Sequence, residues 1–138
     1  MRSRVSTLVA LAALVAVARV EAACGDELPQ PGLTRIEQGG LALAFAPRPA
    51  PIEVGRHFSV DVVVCALAAS PALALTRVDA EMPAHRHGMN YRPTIRRVAD
   101  NRYAVDGLMF HMPGRWRFVF ALGHERDAER MTHEVEIE

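Results

Sequence analysis

Polar and apolar residues alternate along much of this chain with a period of two, the repeat of a β-strand with one buried face. Leu41, Leu43 and Phe45 alternate up to a Pro47-Arg48-Pro49-Ala50-Pro51 break. Phe58, Val60, Val62 and Val64 alternate in a strand predicted from about His57 to Leu67, which Ala68-Ala69-Ser70-Pro71 interrupts. Leu73 to Glu81 reads as the next strand, ended by Pro83, which has no N–H to give to a ladder. Thr94 to Val98 and Arg102 to Val105 predict a hairpin around Ala99-Asp100-Asn101. Leu108 to Met112 then forms a further strand running into a Pro113-Gly114 turn of type II character. Trp116, Phe118, Phe120 and Leu122 alternate strictly, and so do Met131, His133, Val135 and Ile137 against Thr132, Glu134 and Glu136. Seven or eight short strands, punctuated by Pro and Gly, predict an all-β fold, an antiparallel immunoglobulin-like β-sandwich. Ala66 to Ala74 leaves a helical turn open, because short apolar runs are ambiguous.

The first residues follow a different pattern. Arg2 and Arg4 precede an apolar run from Val5 to Ala18, and Val20-Glu21-Ala22 gives a small-residue exit. Residues 1–22 therefore read as a signal peptide, with a retained N-terminal anchor as the alternative. The run is short for a membrane span, and no stable span is expected after cleavage. Glu21-Ala22-Ala23 lacks the aliphatic residue that a lipoprotein signal places three positions before its cysteine, here Cys24. Residues 23–138 are then one domain in a periplasmic or secreted setting.

Removing Arg2, Arg4, Arg19 and Glu21 leaves thirteen basic and fifteen acidic residues, a net charge near −2. That balance argues against nucleic acid or anionic lipid as the main partner. Cys24 and Cys65 are the two cysteines. In an oxidising compartment they predict one disulfide, with thiolate ligation of a metal as the alternative.

Candidate chemistry concentrates in two segments, Met82-Pro83-Ala84-His85-Arg86-His87-Gly88-Met89 and Met109-Phe110-His111-Met112. They hold three of the six histidines and four of the five methionines after the initiator. His85, His87 and Met89 sit at i, i+2 and i+4, so an extended chain projects them to one side. The outer two would be roughly 13 Å apart along a straight strand. A bend is needed for all three to share an ion, and Gly88 is where it costs least. Met82 either ends the core alternation of its strand or joins the site. His111 stands in an apolar strand with Met109 on its own face and Met112 beside the turn, and only one of these two methionines is expected to accompany it. His57, His124 and His133 read as structural or solvated.

Imidazole with thioether suits Cu(I), and a histidine-rich subset can hold Cu(II). Structural zinc sites rarely use methionine, and calcium and magnesium want oxygen ligands. A blue-copper centre would need a thiolate near the histidines, where Cys65 is badly placed. No Ser-in-a-turn motif is present and no carboxylate stands beside the histidine pair, so the chain is not expected to be an enzyme.

Val54-Gly55-Arg56-His57-Phe58-Ser59-Val60, Met82-Pro83-Ala84-His85, the Tyr103 to Phe110 strands and Met112-Pro113-Gly114-Arg115-Trp116 together resemble the YtkA-like/FixH-like group of exported immunoglobulin-like domains. That resemblance covers over half of residues 23–138, and its M-P-G-x-W turn marks the fold more than the function. A more restricted likeness, His87-Gly88-Met89-Asn90-Tyr91-Arg92-Pro93 followed by His111, is to periplasmic copper chaperones of the PCuAC type. The chain departs from that family in lacking its separate upstream His and its terminal H-x-M, so the family's ligand set does not transfer. Together the resemblances imply a small periplasmic metal-handling module.

The expectation is a periplasmic copper-binding carrier, chaperone or scavenger. It would use His85, His87, Met89 and His111, with Met82 or Met112 as a further ligand, and would serve a cuproenzyme or copper efflux partner. The alternative is a metal-free immunoglobulin-like interaction module of an envelope complex. The copper reading requires His111 within about 5 Å of the His85/His87 loop, since every donor must reach one ion.

Overall fold

The computed structural model describes residues 22–67, 73–124 and 126–138. The leader reading of the first residues and the Ala68 to Pro71 interruption lie outside the described residues, apart from Ala22. Nine strands and no helix are present among the described residues: β1 (Thr34–Gln38), β2 (Leu41–Arg48), β3 (His57–Ala66), β4 (Leu75–Met82), β5 (His87–Gly88), β6 (Thr94–Ala99), β7 (Arg102–Met109), β8 (Gly114–Leu122) and β9 (Glu129–Ile137). They form two antiparallel sheets, ordered β1-β2-β3-β7-β6 and β5-β4-β8-β9. The fold is a β-sandwich, as the alternation predicts, with two more elements than its lower count.

Each departure from the sequence reading has a local cause. β1 carries a single apolar residue, Ile36, so periodicity does not mark it. The Gly39-Gly40 turn makes it a strand, because both glycines take the positive φ of a tight hairpin and pair Gln38 with Leu41. β2 runs through Pro47 to Arg48 instead of breaking there. Its pairing with β1 ends at Phe45, so Pro47 has a ladder neighbour on one side only, where a sheet tolerates proline. The two predicted strands Arg102 to Val105 and Leu108 to Met112 are one strand, β7, that stops at Met109. The polar Asp106-Gly107 step is a bulge against β3, where the register shifts between Phe58 and Val60, and Ser59 Oγ donates to Asp106 at 2.7 Å.

The inward faces meet in a core whose largest fully buried members include Trp116, Phe110, Phe118 and Phe120. Val60, Val62 and Val64 of β3 face them as predicted. Val63 on the opposite face is also buried, with Leu28, Ala44 and Ala46, against partly buried Cys24, Leu33 and Cys65. This second cover explains why Ala44 and Ala46 of β2 and Val63 of β3 are apolar although they lie on the face opposite the alternating core residues. Cys24 and Cys65 form the predicted disulfide, Cα–Cα 6.0 Å, which pins the segment to the end of β3. Asp61, the one buried charge among the described residues, accepts two hydrogen bonds from the Arg48 guanidinium at 2.7 and 3.1 Å.

Candidate metal centre

The two His/Met segments are the two turns at one end of the sandwich. After β4 the chain reverses over Pro83 to Arg86, closed by the His85 N–H donating to the Met82 carbonyl at 3.1 Å. It returns as β5, with Met82 opposite His87 and Glu81 opposite Gly88. The Met89 N–H then donates to the Ala80 carbonyl at 3.1 Å. The bend expected at Gly88 therefore lies at Arg86, a non-glycine residue with φ 55°. Gly88 has another job: a Cβ there would stand 3.3 Å from the Ala80 carbonyl oxygen, so its lack of a side chain lets β5 lie close on β4.

Opposed residues of an antiparallel pair present their side chains to the same face. His87 thus shares the face of Met82, which is core at 2 % exposure, its Cε set where a Cβ on Gly114 would need to be. Met82 packs as the last core residue of its strand. His87 is half-buried above it, and its ring centroid lies 5.2 Å from that of His111 and 6.0 Å from Trp116. His111 stands edge-on to Trp116 at 5.3 Å. Trp116 stacks on Phe110 at 4.6 Å and donates its indole N–H to the Met112 carbonyl at 3.0 Å, which ties down the turn between β7 and β8.

Beneath the two imidazoles is a rigid aromatic floor. Met89 and Met112 are half-buried against the core on either side of this pair's segments. His85 is exposed, its ring 5.7 Å from that of His87.

The polar bookkeeping of this end is incomplete in one place. His111 Nδ1 is buried and has no hydrogen-bond partner. A buried nitrogen left so costs about 1–3 kcal/mol. Glu81, opposite Gly88 in the β4–β5 ladder, is engaged by Arg117 at 3.4 Å, and Arg117 also holds Glu134 at 2.7 Å. That hydrogen bond keeps the Glu134 carboxyl below its usual range and raises the guanidinium. Among the described residues no three His, Cys, Asp or Glu side chains converge as a metal cage. The structure brings together His87 and His111, leaves His85 on the outer rim and commits Met82 to the core.

The remaining histidines separate. His124 is exposed, and His133 is half-buried against Phe45, ring centroids 5.7 Å apart, where burial lowers its pKa against the pull of Glu134. His57, read from sequence as structural or solvated, lies directly opposite Met109 in the β3–β7 ladder and edge-on to Tyr91 at 5.0 Å. No sequence signal marks that pairing, which only the register between β3 and β7 creates.

No family model and no curated protein matches the chain. Among solved structures it is similar to a DUF4426 family protein from Pseudomonas aeruginosa PAO1, with a TM-score of 0.51 and 12 % identity over 77 % of this chain and 94 % of that chain. At that identity the likeness bears on the sandwich fold alone.

Proposed function

We propose that this protein is an exported copper carrier, chaperone or scavenger that holds one ion between His87 and His111. His85 serves as an outer ligand, and Met89 or Met112 as the thioether. The observation that carries the reading is the partnerless, buried Nδ1 of His111 beside a second imidazole. A neutral imidazole offers one N–H and one lone pair, and an uncompensated one on a rigid floor is a donor set in advance for an acceptor. With nitrogen–metal bonds of about 2 Å, two imidazoles sharing an ion have centroids about 4.5–6.3 Å apart, depending on the bond angle. The separation of 5.2 Å lies inside that range.

Imidazoles with flanking thioethers, and no carboxylate in the set, favour Cu(I) over zinc, and the histidine subset also accommodates Cu(II). The exposed His85 gives a route for handover, ligand by ligand, to a cuproenzyme or efflux partner. The disulfide supports the exported, periplasmic setting, and the likeness to YtkA-like/FixH-like domains agrees with it. A metal-free interaction module of an envelope complex is the second reading, favoured by exposed Tyr91 and Val98.

Trp116 is the only tryptophan and touches both histidines, so its fluorescence reports the site. Anaerobic titration with Cu(I), in competition with bicinchoninate, should quench it at one equivalent. His87→Ala or His111→Ala should each lower the affinity at least 30-fold. Wild-type protein that takes no copper would leave the interaction module as the better reading.

A further inference from the structure

We propose that His57 and Met109 form a second, more exposed Cu(I) station beside the first. This inference rests on the copper reading above.

The pair is made by register. His57 and Met109 face each other at the ends of β3 and β7. Directly opposed residues of this kind have Cβ atoms about 4.5–5.5 Å apart, close enough for an imidazole and a thioether to meet one ion. Both point outward, since their neighbours Phe58 and Leu108 are fully in the core. Met109 is the telling member. Met82 and Met131 are buried, and Met89 and Met112 pack on the core, but Met109 belongs to neither hydrophobic cluster. Met109 is half-buried beside the exposed His57, so its thioether lies at the surface edge of the sheet outside either core cluster.

Tyr91 stands edge-on to the His57 ring. It is 41 % exposed, so it flanks that ring without sealing it. Among the described residues, Asp106 is already engaged by Ser59 and Arg96, and Glu53 by Arg56. A donor pair of one imidazole and one thioether, without oxygen ligands, is selective for a soft monovalent ion.

The two stations share their chain segments. Met109 precedes His111 by two residues, and Tyr91 follows Met89 by two, a step of roughly 6.6 Å in extended chain. A Cu(I) ion taken up at the exposed pair is one ligand exchange from the half-buried one, with no change of oxidation state. Two donors and open solvent make the second station the weaker, by at least tenfold.

The test is Cu(I) stoichiometry of the whole protein, again against bicinchoninate, with Trp116 fluorescence as a second readout. Wild type should take two equivalents, only the first of them quenching Trp116. His57→Gln/Met109→Leu, both outward-facing changes, should take one and keep the quench. His87→Ala/His111→Ala should also take one, without the quench.

Nuclear magnetic resonance of the Met109 methyl group during addition of Ag(I), a redox-inert stand-in, should show that methyl shifting after the first equivalent. Two equivalents retained in the His57/Met109 variant would overturn the second station. So would a single equivalent in wild type that His87→Ala/His111→Ala abolishes, and that outcome would leave the first site standing. No uptake at all by wild type would overturn both.

Discussion

β3 joins two regions built in contrasting ways. Near its C-terminal end Cys65 is bonded to Cys24, and a small apolar cluster of Leu28, Ala44, Ala46 and Val63 covers the outer face of the sheet. Near its N-terminal end His57 faces Met109 and Tyr91, beside the turns that carry His85, His87 and His111. The first region is closed, with its chain pinned and its sheet buried on both faces. The second has a firm floor, Trp116 on Phe110, and donors above it that include an unsatisfied buried nitrogen. Each region leaves one buried nitrogen without a partner, Arg102 Nε opposite Val63 and His111 Nδ1 at the turns, but only His111 has a second imidazole beside it. That difference is what a site made to receive a ligand requires.

The contrast can be broken from either side. Cys24→Ser/Cys65→Ser should cost about 4 kcal/mol, from the loop that a sequence separation of 41 closes, while Cu(I) affinity stays within threefold. Trp116→Ala should cost about 3–5 kcal/mol and also abolish copper binding, because it removes the floor itself. Denaturant melts with parallel copper titrations check both, and a disulfide variant that lost copper would erase the separation between the regions.

His111→Phe separates stability from binding more sharply. It replaces a buried, unpartnered nitrogen with carbon, so stability should be unchanged or rise by about 1 kcal/mol while copper binding is lost. Equilibrium unfolding of that variant is the check, and a loss above about 2 kcal/mol would mean that the imidazole is a structural group.

A fourth expectation concerns His133, away from both regions. Its pKa is lowered in the fold, chiefly by burial, from the ordinary 6.5. Unfolded chains then bind the proton more readily, so the stabilisation is complete above about pH 6.5 and is lost as the pH falls below it. Melts at pH 7.5 and 5 should show a decline in wild type that His133→Phe reduces. Smallest is Arg86→Gly. The positive φ at Arg86 suits glycine, so this change should be neutral or stabilise by about 0.5–1 kcal/mol, read as a shift in the denaturation midpoint.

Strands with strict alternation and a buried face, β3, β8 and β9, were legible because burial leaves its mark every second residue. β1 was not, since its one apolar residue carries no period and its partner and turn make it a strand. The β7 bulge reads as a break in sequence because an Asp-Gly step looks alike in both. In the site, the two His/Met segments were plain from composition, and a sandwich with turns at one end placed them side by side. The bend at Arg86 was hidden, because nothing in the residue type announces a positive φ. The His57–Met109 pair was hidden for a deeper reason, since cross-strand register is set by the whole ladder and not by either residue.

If His87 and His111 share one ion, the imidazole ¹⁵N spectrum of the protein must register it on addition of one equivalent of Cu(I). The nitrogens of His87 and His111, the latter's Nδ1 included, should shift together while those of His124 and His133 stay in place. Copper bound with the His111 signals unmoved would contradict a shared ion.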